Sequence, residues 1–274
     1  MRHTTVPRHT TANAFSDVDA SGRADDLVQY LDHADRGLRG PKETLRAGFD
    51  VPAGGRVLDI GCGAGHELVQ LVRDGFCAVG VDSSAKMLHA AQERLDANGH
   101  ATPLVLGEAE RLPFTDASFD GCRIERVLQH VRDPAAVIRQ AHRVLQPCGR
   151  IAILEPDWAS FTLAATDTDA ARAIADAVGA DIAHRDIGRH LRRLLVEAGF
   201  DQLRIDVELV VHSSLEDLSN MVSLERAAVR ACWMGRLDHA RAEALVSEQQ
   251  RLSAEGAFHA TINRSVLAWA RKAD

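Results

Sequence analysis

The sequence lacks several features that would place it in whole classes of protein. It has no uninterrupted apolar run of the roughly 18 residues that a membrane-spanning helix needs, so we expect no contact with a membrane. Aromatic residues make up only 4% of it, with a single tyrosine, so the core must consist mostly of Ala, Leu and Val. The formal net charge of -7, from 32 basic and 39 acidic residues, disfavours a nucleic-acid partner, which needs a clustered basic surface.

Cysteine and histidine spacing also excludes several kinds of site. The five cysteines are dispersed and none forms a Cys-x-x-Cys pair, which disfavours a disulfide framework or a zinc ribbon and favours reduced thiols in a cytoplasmic protein. His184 and His190 are six residues apart, and no acid–histidine cluster has ligand spacing, so we expect no metal. Residues 1–13 are polar and lack the apolar stretch of a secretory signal, so we expect residues 1–20 to be a flexible tail.

The remaining length, 21–274, is expected to form a single domain whose apolar content of 46% is enough for a sizeable core. Residues 25–49 have a helical pattern in two pieces, broken near Gly40 and Pro41. Short apolar runs then alternate with helical patterns, which is typical of an α/β fold with a parallel sheet covered on both faces. The predicted strands are 56–60, 78–82, 103–107, 119–124 and 149–154, and the helices between them are 66–74, 83–98 and 134–145.

The pattern changes after Glu155. Two helical stretches, 167–180 and 186–198, precede an alternating segment at 203–211 and a strand-like segment at 258–269. These two segments are expected to complete the sheet with an antiparallel strand at its edge. The helical segment 215–254 has no obvious place in the sheet and is the natural candidate for a substrate cap, although its apolar face is equally suited to packing on the sheet.

The strongest local signal is the segment 57–65, Val-Leu-Asp-Ile-Gly-Cys-Gly-Ala-Gly, between a predicted strand and a predicted helix. Gly61, Gly63 and Gly65 allow a tight turn and a close approach of the backbone to a ligand. A dinucleotide-binding fingerprint would read G-x-G-x-x-G, but here the third glycine comes one residue early and His66 stands in its place, which disfavours NAD.

Asp82 ends the next predicted strand, 21 residues after Gly61. An acid at that place in an open α/β sheet binds the hydroxyl groups of a ribose, because its two oxygens accept both hydrogens. The alternative is that Asp82 only caps the helix that begins near Ser83. The adjacent glycine turn favours the first interpretation.

Four segments together resemble the motifs of class I S-adenosylmethionine-dependent methyltransferases, and the ubiquinone/menaquinone-biosynthesis branch in particular, which includes many bacterial natural-product enzymes. They are 57–65, then 80–84 with Met87, then 107–114 with 118–120, and finally 143–150, all in the order and spacing of that family. The resemblance covers about residues 25–160. It implies a doubly wound, Rossmann-like, seven-stranded, mostly parallel sheet with an antiparallel edge strand, and a helical lid over residues 21–50.

The resemblance also implies S-adenosyl-L-methionine as cofactor and assigns residues to it. Asp59 and the turn 61–65, including Cys62, are expected to hold the methionine moiety. Asp82 is expected to hold the ribose, with Met87 packed near the adenine. The other expected contacts are Ser83, Glu108 and Ala109 around the nucleoside, Glu125 and Arg126 beyond the fourth strand, and Tyr30, whose ring would cover the sulfonium unless it is a surface residue.

The acceptor is expected on the other side of the same crevice. Gln129 and His130 follow the fourth strand, and His130 is a candidate general base, or alternatively only orients its loop. Asp157 and Trp158 end the fifth strand and either orient a substrate or merely form a turn. In segment 215–254, Met221 and Trp233 are candidates for the pocket wall.

The sequence therefore predicts methyl transfer to a small molecule, in secondary metabolism, with the acceptor and the methylated atom open. Rival interpretations remain on the same fold: a cyclase, a bifunctional methylating cyclase, an RNA methyltransferase or a non-catalytic binding module. An RNA methyltransferase would usually carry a basic added domain or an Asn-Pro-Pro-Tyr-like motif, whereas residues 120–126 read Asp-Gly-Cys-Arg-Ile-Glu-Arg, which disfavours methylation of a base amino group. The sequence does not decide between a monomer and a homo-oligomer.

Overall fold

The computed structural model describes residues 18–21, 24–219 and 221–274. The first 17 residues of the predicted tail lie outside these ranges, whereas Val18–Ser21 forms a helical turn. The described helices are α1 (Val18–Ser21), α2 (Ala24–Gly37), α3 (Arg39–Ala47), α4 (His66–Arg73), α5 (Ala85–Ala97), α6 (Pro134–Val144), α7 (Thr168–Ala177), α8 (Leu191–Glu197), α9 (Leu215–Ser219), α10 (Leu224–Trp233) and α11 (His239–Ala254).

The sheet has seven strands in the spatial order β3-β2-β1-β4-β5-β7-β6. The strands are β1 (Arg56–Ile60), β2 (Cys77–Asp82), β3 (Leu104–Leu106), β4 (Phe119–Glu125), β5 (Leu145–Leu163), β6 (Phe200–His212) and β7 (Ala260–Lys272). Strand β1 pairs in parallel with both β2 and β4, so the chain first builds one half of the sheet and then the other. The carboxyl ends of β1 and β4 therefore border the crevice where such sheets bind ligands.

The predicted fold class is confirmed, and the antiparallel pairing involves the last two strands at one edge of the sheet. Strand β7 runs antiparallel to both β5 and β6, so the reversed strand lies one position inside the edge. The fifth strand continues to Leu163, well beyond the predicted residue 154, because its second half pairs with β7 alone. The break between the first long helices lies at Leu38 rather than near Gly40, and Pro41 is accommodated in the first turn of α3, where it costs no hydrogen bond.

Apolar side chains cover both faces of the central strands. One cluster packs β4 and β5 against α6 and α8, with Phe119 and Ile138 at zero exposure. Another packs the opposite face against α3 and α4, with Leu45 and Leu68 at zero exposure. Since β1 and β2 are covered from both sides, they are almost continuously apolar, as the short runs in the sequence indicated.

A third cluster joins the helices after β5 to the far ends of β5 and β7. It includes Phe161 of β5, Ile174 of α7, Ala228 of α10 and Leu245 of α11. The segment 215–254 therefore has a core of its own beside the sheet, which fixes α10 above the carboxyl end of the strands. The alternating face of the predicted strand 203–211 is not covered in this way, since Val207, Leu209 and Val211 on the edge strand β6 are each more than half exposed.

Candidate functional site

A cavity of about 1370 Å³ lies at the carboxyl ends of β1, β2 and β4. Gly61, Asp82 and Glu108 line one end of it, and His130 and Trp158 line the other. The volume exceeds the roughly 300–1,000 Å³ of a pocket for one drug-sized molecule, so the cavity has room for two ligands side by side. The arrangement joins both predicted halves of the site in one space.

The glycine turn leaves backbone where side chains would otherwise stand. Gly61 has a φ of 71°, and a Cβ there would lie 2.4 Å from Cγ2 of Val127, so the turn and the loop after β4 are in direct contact. A Cβ at Gly65 would lie 2.9 Å from the Cβ of Ala91, so this glycine permits close packing on α5. Gly61 and Gly63 line the cavity, whereas Cys62 and Gly65 are buried beside them, and the predicted contacts of these two residues stay predictions.

Asp82 occupies the place expected for a ribose-binding acid. One carboxylate oxygen accepts from the N–H of Gly63 at 2.9 Å and the other from the N–H of Ser84 at 2.9 Å. The N-cap of α5 is Ser84, whose hydroxyl accepts from the N–H of Met87 at 3.1 Å, so Asp82 is not needed as the cap. Burial raises the pKa of Asp82, although both N–H donors act against it. Each oxygen retains a lone pair that can face the cavity.

The rest of the predicted nucleoside contacts also line this end. Ser83, Met87, Glu108 and Ala109 all border the cavity, and Met87 is almost completely buried. Val18 and Leu31, from α1 and α2, close it from the N-terminal side. Tyr30 lies in α2, but its side chain is outside the described part of the structure, so its predicted role stays a prediction.

A buried ionic network lies behind the turn. The Arg123 guanidinium contacts Asp59 at 3.1 Å and Glu67 at 3.2 Å, and it also bonds to Glu125. Lys42 of α3 lies 2.9 Å from Glu125 and 3.5 Å from Glu67. Since the chain positions 42, 67 and 123 are far apart and carry no motif, sequence reasoning did not find Lys42, Glu67 or Arg123.

Asp59 belongs to this network. Its side chain is buried against Arg123 behind the turn, and its predicted contact with the cofactor stays a prediction. Burial raises the pKa of Asp59 to about 6, despite the nearby guanidinium. Glu125 does line the cavity; burial acts to raise its pKa, but Lys42 and Arg123 outweigh that effect and hold the pKa well below its usual range.

The loop after β4, residues 126–130, faces the acceptor end of the cavity. Arg126 has a φ of 52°, a conformation unusual for a residue with a side chain, and its N–H bonds to the carbonyl of Leu154. One carboxylate oxygen of Glu155 accepts from the next two N–H groups, those of Val127 at 2.7 Å and Leu128 at 2.6 Å. Glu155 has zero exposure and was assigned no role from the sequence, since its partner is reached only across the sheet.

Two predicted acceptor-side residues of this loop do line the cavity. His130 lies there as a neutral imidazole at neutral pH, because burial, assisted by the charge of Arg126, lowers its pKa to about 3. A group with so low a pKa is a weak general base, which favours the alternative of a neutral polar wall. The Gln129 side-chain oxygen accepts from the indole N–H of Trp158 at 2.8 Å, so the loop and the second half of β5 are fixed to each other.

Three expectations about the acceptor side differ in outcome. Trp158 lines the cavity, as does Met221 just before α10. Asp157 does not: both of its oxygens bond to the Arg189 guanidinium, at 2.9 and 3.0 Å, which favours a structural ion pair over the predicted catalytic role. Trp233 is 65% exposed at the end of α10 and does not border the cavity either.

The described residues contain no group of three or more His, Cys, Asp or Glu side chains placed to hold a metal ion. Within residues 18–21, 24–219 and 221–274, every helix is too short or too polar to traverse a bilayer.

Comparison with known proteins agrees with this geometry. A family model described as a methyltransferase domain matches residues 58–153. An uncharacterized 37.1 kDa protein in transposon TN4556 of Streptomyces fradiae is 36% identical over 218 residues, covering 77% of this chain and 63% of that protein. The demethylmenaquinone methyltransferase of Corynebacterium kroppenstedtii is 34% identical over 142 residues, covering 50% of this chain and 57% of that protein.

The fold is also shared with solved structures. A crystal structure from Bacillus halodurans superimposes with a TM-score of 0.60 at 20% identity, covering 85% of this chain and 98% of that chain. The chain thus spans about 60% of the length of the two curated relatives and most of a smaller solved domain. The matched segment 58–153 contains the glycine turn, Asp82 and the loop after β4. Residues 58–153 therefore match a methyltransferase domain, and about half of the chain is similar in sequence to demethylmenaquinone methyltransferases.

Proposed function

We propose that this chain transfers a methyl group from S-adenosylmethionine to a small, partly apolar acceptor. The observation that carries the proposal is the single cavity whose two ends differ in character. One end has exposed backbone at Gly61 and a buried carboxylate at Asp82, and the other has apolar walls with an indole and an imidazole. Two ligands in one enclosed space is what a transfer reaction between two substrates requires.

The nucleoside end fits S-adenosylmethionine. Gly61 and Gly63 line the cavity without side chains, and Asp82 presents two oxygens that already have one N–H donor each. A ribose offers two adjacent hydroxyl groups for the remaining lone pairs. When bound, the cofactor supplies an electrophilic methyl group on a positively charged sulfur.

The protein's own contribution is to align the acceptor and exclude water. Orienting two reactants in a site of this kind contributes about 7–11 kcal/mol to the lowering of a barrier. Here the loop 126–130 is held by Glu155 from behind and by Trp158 from the side. His130 and Gln129 thereby have fixed positions at the wall between the two ends.

The acceptor end suits a small molecule with an apolar body. Its walls include Val178, Ile182, Met221 and Val222, in addition to Trp158. Such a wall is suited to a product of secondary metabolism, and the net charge of -7 gives no general attraction for an RNA substrate. An intact cofactor end is compatible with methylation and with a cyclisation without methyl transfer, so formation of S-adenosylhomocysteine distinguishes the two.

Calorimetry with S-adenosylmethionine and S-adenosylhomocysteine tests the first half of the proposal. We expect dissociation constants in the micromolar range, which correspond to a binding free energy of about -8 kcal/mol. Absence of binding for both ligands at millimolar concentration would contradict the proposal. Incubation with panels of aromatic and polyketide-like acceptors, followed by mass spectrometry for S-adenosylhomocysteine, tests the second half. A product formed without S-adenosylhomocysteine would identify a cyclase instead.

A further inference from the structure

Basic and acidic side chains both border the acceptor half of the cavity, and its acids include Glu110, Asp133 and Asp181. Four arginines line it: 126, 132, 226 and 230. Arg230 is neutralised by an ion pair with Asp181. Arg126 lies 3.7 Å from Glu125. The other two are different, because the guanidinium groups of Arg132 and Arg226 have no hydrogen bond or ion pair with any side chain in the described ranges.

The position of Arg226 conflicts with local helix chemistry. Ser223 is the N-cap of α10 and accepts from the N–H of Arg226, which places Arg226 in the first turn. A helix N-terminus carries a partial positive charge, so an acid is stabilising there and an arginine is not. Glu225 is the acid of this turn, and its carboxylate accepts from the hydroxyl of Ser223. Residues that break a local rule without a structural benefit are expected at functional sites.

The N-terminus of a second helix, α6, also borders the acceptor half of the cavity. Arg132 directly precedes Asp133, the N-cap of α6, and both residues border the cavity. Asp133 is already engaged, because it accepts from the N–H of Ala136 and pairs with Arg139. Glu110 accepts from the backbone N–H of Arg132 and not from its guanidinium. The N-terminal ends of α6 and α10 therefore both meet the cavity, each with an unpaired arginine.

The depth of these residues indicates where an anion would lie. Arg132 and Arg226 are exposed at the opening, whereas His130 and Trp158 are more deeply buried. Between them the walls are apolar, with Val178, Ile182 and Val222. An acceptor with an apolar body and one anionic group would place the body inside and the anion at the opening, where the guanidinium groups bind carboxylates in bidentate geometry.

We propose that the acceptor is an apolar molecule with a carboxylate or comparable anionic group, which Arg226 and Arg132 bind at the opening of the cavity. This inference rests on the proposed function, since it concerns the second ligand of the same cavity. The anionic group is an anchor at the opening and lies apart from the methylated atom. Binding energy from such a remote group assists orientation at the reacting centre.

The experiment uses matched pairs of probes on the full chain saturated with S-adenosylhomocysteine. Benzoate, trans-cinnamate and 2-naphthoate are compared by calorimetry with benzamide, trans-cinnamamide and 2-naphthamide. We expect at least one acid to bind about tenfold more tightly than its amide, as for a charge-assisted pair that is partly exposed. The preference is expected to decrease as salt is raised, because the opening is accessible to ions.

Variants separate the anchor from a general charge effect. Arg226→Gln and Arg132→Gln are each expected to reduce the preference for the acid to about threefold or less. Arg241→Gln is the matched control, since Arg241 lies on α11, pairs with Asp167 and does not border the cavity. Equal affinity for acid and amide in every pair, or an acid preference unchanged in both variants, would overturn the inference. Failure of the wild type to bind S-adenosylhomocysteine would instead reject the proposed function.

Discussion

The carboxyl group of Glu155, in the middle of β5, accepts a hydrogen bond of 2.7 Å from the N–H of Val127 in the loop after β4. The same oxygen accepts from Leu128, so two successive N–H groups converge on it directly after the left-handed residue Arg126. These two donors on one buried oxygen fix the loop that forms the wall of the acceptor end.

Replacing Glu155 tests this support. Glu155→Leu leaves two buried N–H groups unpaired and is expected to destabilise the fold by about 1–3 kcal/mol. Hydrogen exchange in residues 126–130 should accelerate more than in β1 or β2. Glu155→Gln retains an acceptor oxygen and is expected to preserve the loop. If the Leu variant left exchange in the loop unchanged, Glu155 would not be its support.

Glu155 also predicts a dependence of stability on pH. Burial raises its pKa to about 8, although the N–H donors act against this. The folded state therefore keeps a proton that the unfolded chain releases above its own pKa of about 4.3. This contribution to stability is complete below that lower value and is lost as pH rises through about 8. The free energy of unfolding, measured with denaturant between pH 6 and 9, should decrease less with rising pH in Glu155→Gln than in the wild type.

Asp82 is expected to account for much of the cofactor affinity. Asp82→Ala removes a charged acceptor for two hydroxyls and should weaken binding of S-adenosylhomocysteine by about 1.5–3 kcal/mol. Calorimetry measures this directly, and the unfolding midpoint checks that the fold persists. Asp120→Ala is the control, since Asp120 bonds to the N–H of Arg56 at the opposite end of the sheet. An unchanged affinity in a folded Asp82 variant would exclude the ribose contact.

His130 is expected to remain neutral when the protein is folded. Burial first, and then the charge of Arg126, lower its pKa to about 3. Since the unfolded chain takes up this proton near pH 6.5, the folded state loses stability as pH falls below that value. Imidazole nitrogen shifts in NMR should show no protonation of His130 down to pH 5, and His130→Gln should reduce the loss of stability between pH 7 and 5. Titration near pH 6.5 would contradict the deep burial of the ring.

The N-terminal helices are expected to close over the cofactor. Asp19 of α1 accepts from the hydroxyl of Ser84 and from the N–H of Ala85, at the start of α5 and beside Asp82. S-adenosylhomocysteine should slow hydrogen exchange in α1 and α2, and Asp19→Ala should weaken that protection while Asp201→Ala on β6 should not. Equal exchange with and without ligand would reject the lid.

Met221 and Trp233 are expected to differ, although both are apolar residues of the predicted cap. Met221→Ala should change the KM for an acceptor without altering cofactor affinity, because Met221 borders the cavity. Trp233→Ala should leave both unchanged, because its ring is largely exposed. A substrate effect confined to Trp233 would show that the acceptor lies outside this cavity. Steady-state kinetics with any identified acceptor makes the comparison.

Local patterns in the sequence were sufficient for the architecture and for the cofactor end. The apolar runs predicted β1, β2 and β4, since buried parallel strands need apolar residues on both faces. The glycine turn and Asp82 were also identifiable, because a positive φ and a carboxylate at a strand end are properties of single positions.

Only the tertiary structure decided which distant side chains meet. Lys42, Glu67 and Arg123 form one buried network, and Glu155 supports a loop 27 residues earlier, although nothing in their spacing indicates it. Trp233 shows that the sequence of a single helix does not determine which of its faces is buried. Nine residues after Leu224, it lies about 180° around α10 at 100° per residue. Once Leu224, Ala228 and Ala231 faced the core, Trp233 had to face outward, because the choice of buried face depends on the partner and not on the helix alone.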